Sequence, residues 1–389
     1  MADIEKLRQS AKTLVIFKSL KEKAVVKNLL GFLEKKDIES YCDFVGALYK
    51  HSQNLTQYIL RLTLENENFY MLRKGEGKKT DFLLDECLAN ELMVIEQLAT
   101  IPCEELITAT GADCFLPRYK TEPTDFSQVY AQRIREISRY GYGIYAQYNV
   151  FMLKNGAITP VPYPDNIQLS QLSGYEVQRQ TVIDNTLALL KGKPANNVLL
   201  YGDCGTGKSS TVKAIANEYK NMGLRLIELK KSQLHELPDI TETVCKNPLK
   251  FIIFIDDLSF TEDDNDFAAL KAILEGSVSA SADNLVIYAT SNRRHLVRET
   301  FSSREGDEVH LNDTMQEFLS LSDRFGLSVR YSKPDKTLYL KVIDALAEQY
   351  GIEKDKDELH KRAEAFAIER GGRSPRTARQ FIEYLKGTE

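Results

Sequence analysis

Phosphate chemistry needs a cation, a hydroxyl and backbone N–H groups aimed at oxygen, and one stretch of this chain supplies all three. Gly202-Asp203-Cys204-Gly205-Thr206-Gly207-Lys208-Ser209 fits the pattern G-x-x-x-x-G-K-[ST] at every fixed position. Asn197 to Tyr201 reads as a short buried strand running into the loop, and Val212, Ile215, Ala216 and Tyr219 recur at helical spacing beyond it. Strand, glycine loop and helix bring successive N–H groups and a helix N-terminus onto phosphate oxygens. Lys208 then reaches the β- and γ-phosphates, the Ser209 hydroxyl ligates Mg²⁺, and Ser210 follows it into the helix. Cys204, within the loop, is either a reactive thiol or simply a side chain small enough to fit.

Two more clusters have the right chemistry. Phe251-Ile252-Ile253-Phe254-Ile255 is apolar throughout, as a strand buried on both faces is, and it ends in Asp256-Asp257. Acids at the C-terminal tip of such a strand stand at the ligand-binding edge of a parallel sheet. Asp256 is expected to hold Mg²⁺ through its shell, and Asp257 to orient or deprotonate an attacking water. Asp pairs also open loops for turn reasons alone; the buried strand and the complete loop upstream favour the catalytic reading. Leu285 to Ala289 is a further strand, closed by Thr290-Ser291-Asn292, and Asn292 is a neutral donor and acceptor fit to position a water. Arg293 and Arg294 follow. Arg376 falls in the first turn of the last helix, where the macrodipole disfavours a cation. Arg373 and Arg379 sit three residues to either side, so either acids such as Glu369 or a phosphate accounts for the set.

The elements that must position these groups follow from the order of patterns. The chain has 389 residues, enough for two or three domains, with 43% hydrophobic and 28% charged residues. A net charge of −5 offers no global cationic field for nucleic acid. The start carries no basic and apolar leader, and no apolar run is long enough to span a bilayer, so a cytoplasmic protein without a membrane partner is expected. Cys42, Cys87, Cys103, Cys114, Cys204 and Cys245 form no C-x-x-C pair, as suits reduced thiols.

The front of the chain repeats apolar residues at helical spacing through Ile4 and Leu7, Phe44 to Leu62, and Asp81 to Ile101. Pro102 suits the next helix start, Gly111 its close, and Thr124 the cap of a helix bearing Phe126 and Tyr130. Tyr140, Tyr142, Tyr145 and Tyr148 could stack bases, but without interleaved cations an aromatic seam between domains is the better reading. Pro160, Pro162 and Pro164 make an extended linker. Beyond it strands and helices alternate, with Leu224 to Leu229 and Leu327 to Arg330 as further strands. A polar stretch from Glu299 to Asn312 precedes the last of these, and three helices from Lys336 close the chain. The expected division is a helical accessory domain over 1–158, a linker over 159–168, an α/β nucleotide core over 169–333 and a helical lid over 334–389.

Taken together, these motifs resemble an AAA+ ATPase from about Leu169 to Glu389. The phosphate loop resembles Walker A, Asp256-Asp257 Walker B, and Asn292 sensor 1. Arg324 in Asp-Arg-Phe resembles an arginine finger, and Ser374-Pro375-Arg376 a sensor 2. Leu172-Ser173-Gly174-Tyr175 resembles the segment that wraps adenine, giving Leu172, Gly174 and Tyr175 as base-pocket candidates. The layout is similar to the bacterial family catalogued as domain of unknown function 815, carried by Asn-Asn-Val-Leu-Leu-Tyr-Gly-Asp-x-Gly-Thr-Gly-Lys-Ser-Ser and Asp-Asp-Leu-Ser-Phe. The resemblance implies a P-loop NTPase core, a parallel sheet flanked by helices, with ATP and Mg²⁺ as cofactors. It further implies a homo-oligomer in which Arg324 completes a neighbour's site, acting on a protein or nucleic-acid client. Two departures qualify it. Asp257 stands where most active members have Glu, so hydrolysis is expected to be slow, and Lys230-Lys231-Ser232-Gln233 replaces the aromatic pore loop of protein-threading members. The rival expectation is a nucleotide-dependent switch that presents the helical domain to a partner. A P-loop kinase fits Asn292, Arg324 and the lid poorly.

Overall fold

The computed structural model describes residues 4–258, 270, 274, 283–292, 324–353 and 355–388. The expectations for Arg293, Arg294, the Glu299 to Asn312 stretch and the Asp323 of Asp-Arg-Phe lie outside the described residues. The chain divides into two compact units, Met1–Gln147 and Tyr148–Glu389.

The first unit is helical, and short polar side chains set its helix starts. Asp37, Asn54, Asn68, Asp81 and Asp125 each accept the N–H three residues on, the N-cap bond that satisfies an orphan donor. Asn54 therefore splits the Phe44 to Leu62 run into two helices, Ile38–Tyr49 and Leu55–Glu65. The cap of helix Phe126–Arg135 is Asp125 and not Thr124, because the Asp125 carboxylate reaches the Gln128 N–H at 2.8 Å. Pro102 and Gly111 bound helix Cys103–Thr110 as expected, Gly111 in the left-handed conformation that stops it. Phe17, Phe32, Tyr41, Phe44 and Tyr130 are fully buried, and Tyr142 joins the same core. Tyr140 instead carries the Arg133 guanidinium 4.5 Å from its ring centroid.

The second unit is built on a seven-stranded sheet: β1 Val150–Lys154, β2 Ala157–Pro160, β3 Val198–Gly202, β4 Leu224–Leu229, β5 Lys250–Ile255, β6 Leu285–Ser291 and β7 Leu327–Tyr331. Their order is β2-β1-β4-β5-β6-β3-β7, parallel at every described pairing except β1 with β2. The boundary expected at 158 is thus corrected. Asn155 and Gly156 both take positive φ, the two-residue turn that joins antiparallel strands, and Phe151 pairs with Pro160. Residues 150–160 belong to the sheet, so the segment expected as a linker starts inside it. In the centre, Phe251 to Ile255 are all buried, as a parallel strand covered on both faces must be.

Helices Glu176–Leu190, Lys208–Tyr219 and Leu237–Val244 accompany the sheet. The chain then passes from β7 through Ser332 and Lys333 into three C-terminal helices, Lys336–Tyr350, Lys356–Glu369 and Pro375–Thr388. These have a small core of their own around Tyr339, Ile343, Ala363, Phe381 and Leu385. Asp335 and Asp355 cap the first two, Gly351 ends the first in left-handed geometry, and the Ser374 hydroxyl takes the Thr377 N–H at 3.0 Å to start the third.

Candidate nucleotide site

Because β3, β5, β6 and β7 run parallel, their C-terminal tips share one edge, and the sequence candidates gather there. The loop after β3 can turn as it does because of its glycines. Gly202 has a φ of +132° and a Cβ on it would overlap the Tyr331 carbonyl, so no other residue fits between β3 and β7. Gly207 has a φ of +94° and caps helix Lys208–Tyr219. The Thr206 hydroxyl donates to the Asp203 carbonyl at 2.8 Å and stiffens the turn.

Lys208 is buried, and its ammonium donates to the Gly202 and Asp203 carbonyls at 3.0 and 2.8 Å and to Asn292 Oδ1 at 3.1 Å. Burial pulls its pKa down, against the opposing pull of nearby Cys204, Asp203 and the two aspartates that follow β5. Ser209 Oγ donates to Asp256 Oδ1 at 2.6 Å. The same oxygen accepts the Thr290 hydroxyl at 2.6 Å, and Thr290 Oγ1 in turn accepts the Asp257 N–H at 2.9 Å. Asp257 sits at a φ of +53°, uncommon for a residue with a side chain, and Asn292 Nδ2 donates to its Oδ1 at 2.7 Å. A continuous circuit results: Ser209, Asp256, Thr290, Asp257, Asn292, Lys208.

A cavity of about 470 Å³ opens over this circuit. Cys204 to Ser210 line its floor, and Cys204 is exposed. Leu172, Gly174 and Tyr175 line one flank together with Ile167, Val342 and Leu346, which makes that end apolar. Tyr175 does not lie loose against the cavity. Its ring stacks on Tyr331 at 5.2 Å, its hydroxyl donates to the Ser332 carbonyl at 2.6 Å, and burial pushes its pKa up to about 12. Arg376 and Arg379 face the cavity from the third C-terminal helix. No carboxylate among the described residues pairs with Arg376. Arg373, in contrast, is claimed by Glu364 through two bonds of 2.8 and 2.6 Å, which hold that carboxyl below its usual range. Of the three arginines, then, one is structural, and its partner is Glu364 and not Glu369.

Three candidates fall elsewhere. Gly202 and Asp203 are outside the cavity lining, and the Asp203 carboxylate turns to the Lys333 N–H at 2.7 Å. Arg324 precedes β7, at the strand's opposite end from Tyr331. The Leu327 N–H bonds the Asn197 carbonyl just before β3, so Arg324 belongs to the N-terminal edge of the sheet, roughly 17 Å of strand from its own phosphate loop. Sequence reasoning passed over Thr290, Tyr331 and Lys333. For Thr290 a signal existed, since it is two residues before Asn292 at the same C-terminal tip of β6.

The donor set suits a magnesium nucleotide. Among the described residues no three His, Cys, Asp or Glu cluster as a metal cage. The convergence of Ser209 and Asp256 matches Mg²⁺, which takes few protein ligands and completes its shell with phosphate and water. Phosphate loop, paired acids, polar strand tip and helical lid on a mostly parallel sheet define the AAA+ ATPase class. The chain belongs to the family described as protein of unknown function (DUF815), which matches residues 146–389.

It is 37% identical over 94 residues to the replication factor C large subunit of Staphylothermus marinus, across 22% of this chain and 21% of that one. Among solved structures it is similar to the Thermotoga maritima RuvB Holliday junction branch migration motor, at 15% identity and a TM-score of 0.39 over 57% of this chain and 64% of that one. A mutant form of the same motor gives a TM-score of 0.38 at 15% identity, over 57% and 65%. The chain spans about a fifth of the curated relative and just under two thirds of these solved structures.

Proposed function

We propose that this protein is a Mg²⁺-dependent AAA+ ATPase that works in the cytoplasm as a homo-oligomer and couples ATP to the remodelling or loading of a protein or nucleic-acid client. The observation that carries the reading is the circuit from Ser209 through Asp256, Thr290, Asp257 and Asn292 to Lys208 beneath one cavity. In this reading the N–H groups of Gly205 to Ser210 and the Lys208 ammonium hold the phosphates. Ser209 and Asp256 hold Mg²⁺, which neutralises charge on the phosphoryl oxygens. Asp257 orients the attacking water with Asn292 beside it, and Arg376 clamps the phosphates from the lid. The apolar flank of Leu172, Gly174 and Val342 takes the base. Arg324 comes from a neighbouring copy, since its own loop lies at the other edge of the sheet.

The test is titration calorimetry with Mg-ATP, followed by turnover against protein concentration. Wild type is expected to bind and Lys208→Ala to lose binding by about 10³ or more, because buried phosphate contacts are not replaced by water. Turnover per chain rises with concentration if sites are shared. Near-normal affinity in Lys208→Ala would remove the phosphate-loop reading. One observation favours a second reading, a weakly hydrolysing nucleotide switch: Asp257 is a methylene shorter than glutamate and its Oδ1 is already taken by Asn292 at 2.7 Å. ATP binding with turnover near background at all concentrations would select the switch.

A further inference from the structure

The first variable residue of the phosphate loop points away from the cavity. Asp203 Oδ2 accepts the Lys333 N–H at 2.7 Å, and the Asp203 N–H donates to the Tyr331 carbonyl at 3.0 Å. Both partners lie where β7 passes into the short connection to the first lid helix, Lys336–Tyr350. Asp203 thus grips the hinge of the lid with its main chain and its side chain together. Gly202 packs so closely on Tyr331 that a Cβ would overlap its carbonyl, so a shift of the loop is passed to the hinge by contact.

The other side of Asp203 meets the phosphate-binding cation. Its carbonyl accepts the Lys208 ammonium at 2.8 Å and the Thr206 hydroxyl at 2.8 Å. A phosphate that draws Lys208 toward itself competes for a donor that now holds this carbonyl. Further along the loop, the Gly205 carbonyl accepts the Arg376 N–H at 3.1 Å, and a Cβ on Gly205 would stand 3.1 Å from Ser374 Oγ. The lid is therefore bonded to the loop at two points, hinge and tip, with the loop residues 203 to 205 between them.

We propose that Asp203 is a positioning residue: it ties the phosphate loop to the lid hinge, so that lid angle, and with it Arg376 and Arg379, follows what the loop holds. The proposal rests on the nucleotide-site reading given above and adds a residue whose side chain touches no part of the cavity. It differs from a purely structural contact in one respect. A structural bond would matter equally with and without nucleotide, whereas a relay matters to the difference between the two states.

The experiment is hydrogen exchange of the full-length protein with and without a non-hydrolysable ATP analogue, read on peptides covering 332–340 and 372–380, with steady-state kinetics alongside. In wild type the analogue is expected to slow exchange in both segments. Asp203→Ala should lose most of that difference and lower kcat by roughly fivefold, the worth of about one hydrogen bond, with a smaller change in analogue affinity. Asp203→Asn keeps an acceptor at the same place and should restore most of the lost protection. Lid protection in Asp203→Ala equal to wild type would overturn the proposal while leaving the nucleotide site standing. Failure of wild type to bind the analogue would overturn the site reading and the relay with it. Should the alanine variant not fold, Asp203→Ser decides, since its shorter hydroxyl leaves the Lys333 N–H unreached: unchanged protection there counts against the relay.

Discussion

Glu91 in the helical unit and Asp256 in the second unit each take more than one hydrogen bond, and the two are held in opposite ways. Glu91 in the helical unit is buried, and three consecutive backbone N–H groups, those of Val15, Ile16 and Phe17, donate to it at 2.6, 3.0 and 3.0 Å. Asp256 in the nucleotide unit stands at the mouth of a cavity, and its donors are side-chain hydroxyls, those of Ser209 and Thr290. Main-chain donors have no alternative partner once the fold is set, so Glu91 fastens the segment after the first helix to helix Phe82–Ala99. Hydroxyls can rotate to a metal or a phosphate. What distinguishes the structural anion from the proposed metal-binding one is therefore whether its donors are free to leave.

Arg324 gives the largest test of that distinction, because it bears on the nucleotide unit alone. If it reaches a neighbour's γ-phosphate, its charge matters in the transition state far more than in the ground state. Arg324→Ala should keep ATP affinity and cut turnover by about 10³, with little rescue by Arg324→Lys, which lacks the planar fork. Mixing Arg324→Ala with Asp257→Asn should restore some activity, as one interface then joins an intact site to an intact finger. No recovery in any mixture, with oligomers confirmed by mass, would make Arg324 a structural arginine at the entry to β7.

Glu91 is the reciprocal case. Glu91→Ala removes the acceptor for three N–H groups at a buried position and should cost about 2–4 kcal/mol of stability. Thermal unfolding reads the loss, and ATP affinity measured below the transition should stay at the wild-type value. A fall in affinity without a fall in stability would break the separation between the two carboxylates.

Much of the candidate site was legible because its signals are local. A complete loop pattern, an apolar strand ending in two acids, and Ser374-Pro375 at a helix start each lie within a few residues of chain. The partners of those groups were not, because pairing across a sheet or a lid depends on distances the sequence does not state. Nothing near Arg373 marks Glu364, one helix back, as the acid that claims it, and nothing near Asp203 marks Lys333. The β1–β2 hairpin is a different kind of miss. Asn155-Gly156 is a strong local turn signal, but the prolines after it read as a linker, and Pro160 ends an edge strand where a missing N–H costs little. In the helical unit, Pro102, Gly111 and Thr124 marked boundaries to within a residue, but the break at Asn54 inside the Phe44 to Leu62 run was missed, and Glu91 on its helix carried no signal that set it apart from a solvated acid.

Thr290 carries the smallest effect and the finest test. One hydroxyl donates to Asp256 and accepts from the Asp257 N–H, so it sets both acids at once and supports the left-handed turn at Asp257. Thr290→Val has nearly the same shape and should fill the same buried space, but it loses both bonds and leaves the Asp257 N–H without its partner. Turnover is expected to fall roughly tenfold, since misplacing a catalytic group by a fraction of an ångström weakens transition-state contacts more than binding. Thr290→Ser retains the hydroxyl and should recover most of the rate. The readout is kcat against the Kd for ATP, with unfolding as a control. If Thr290→Val lowers stability as much as Glu91→Ala does and leaves kcat unchanged, the hydroxyl at β6 is an anchor of the same kind as the N–H groups around Glu91. The contrast between the two carboxylates would then rest on Ser209 alone, the hydroxyl that the proposed Mg²⁺ would draw away from Asp256.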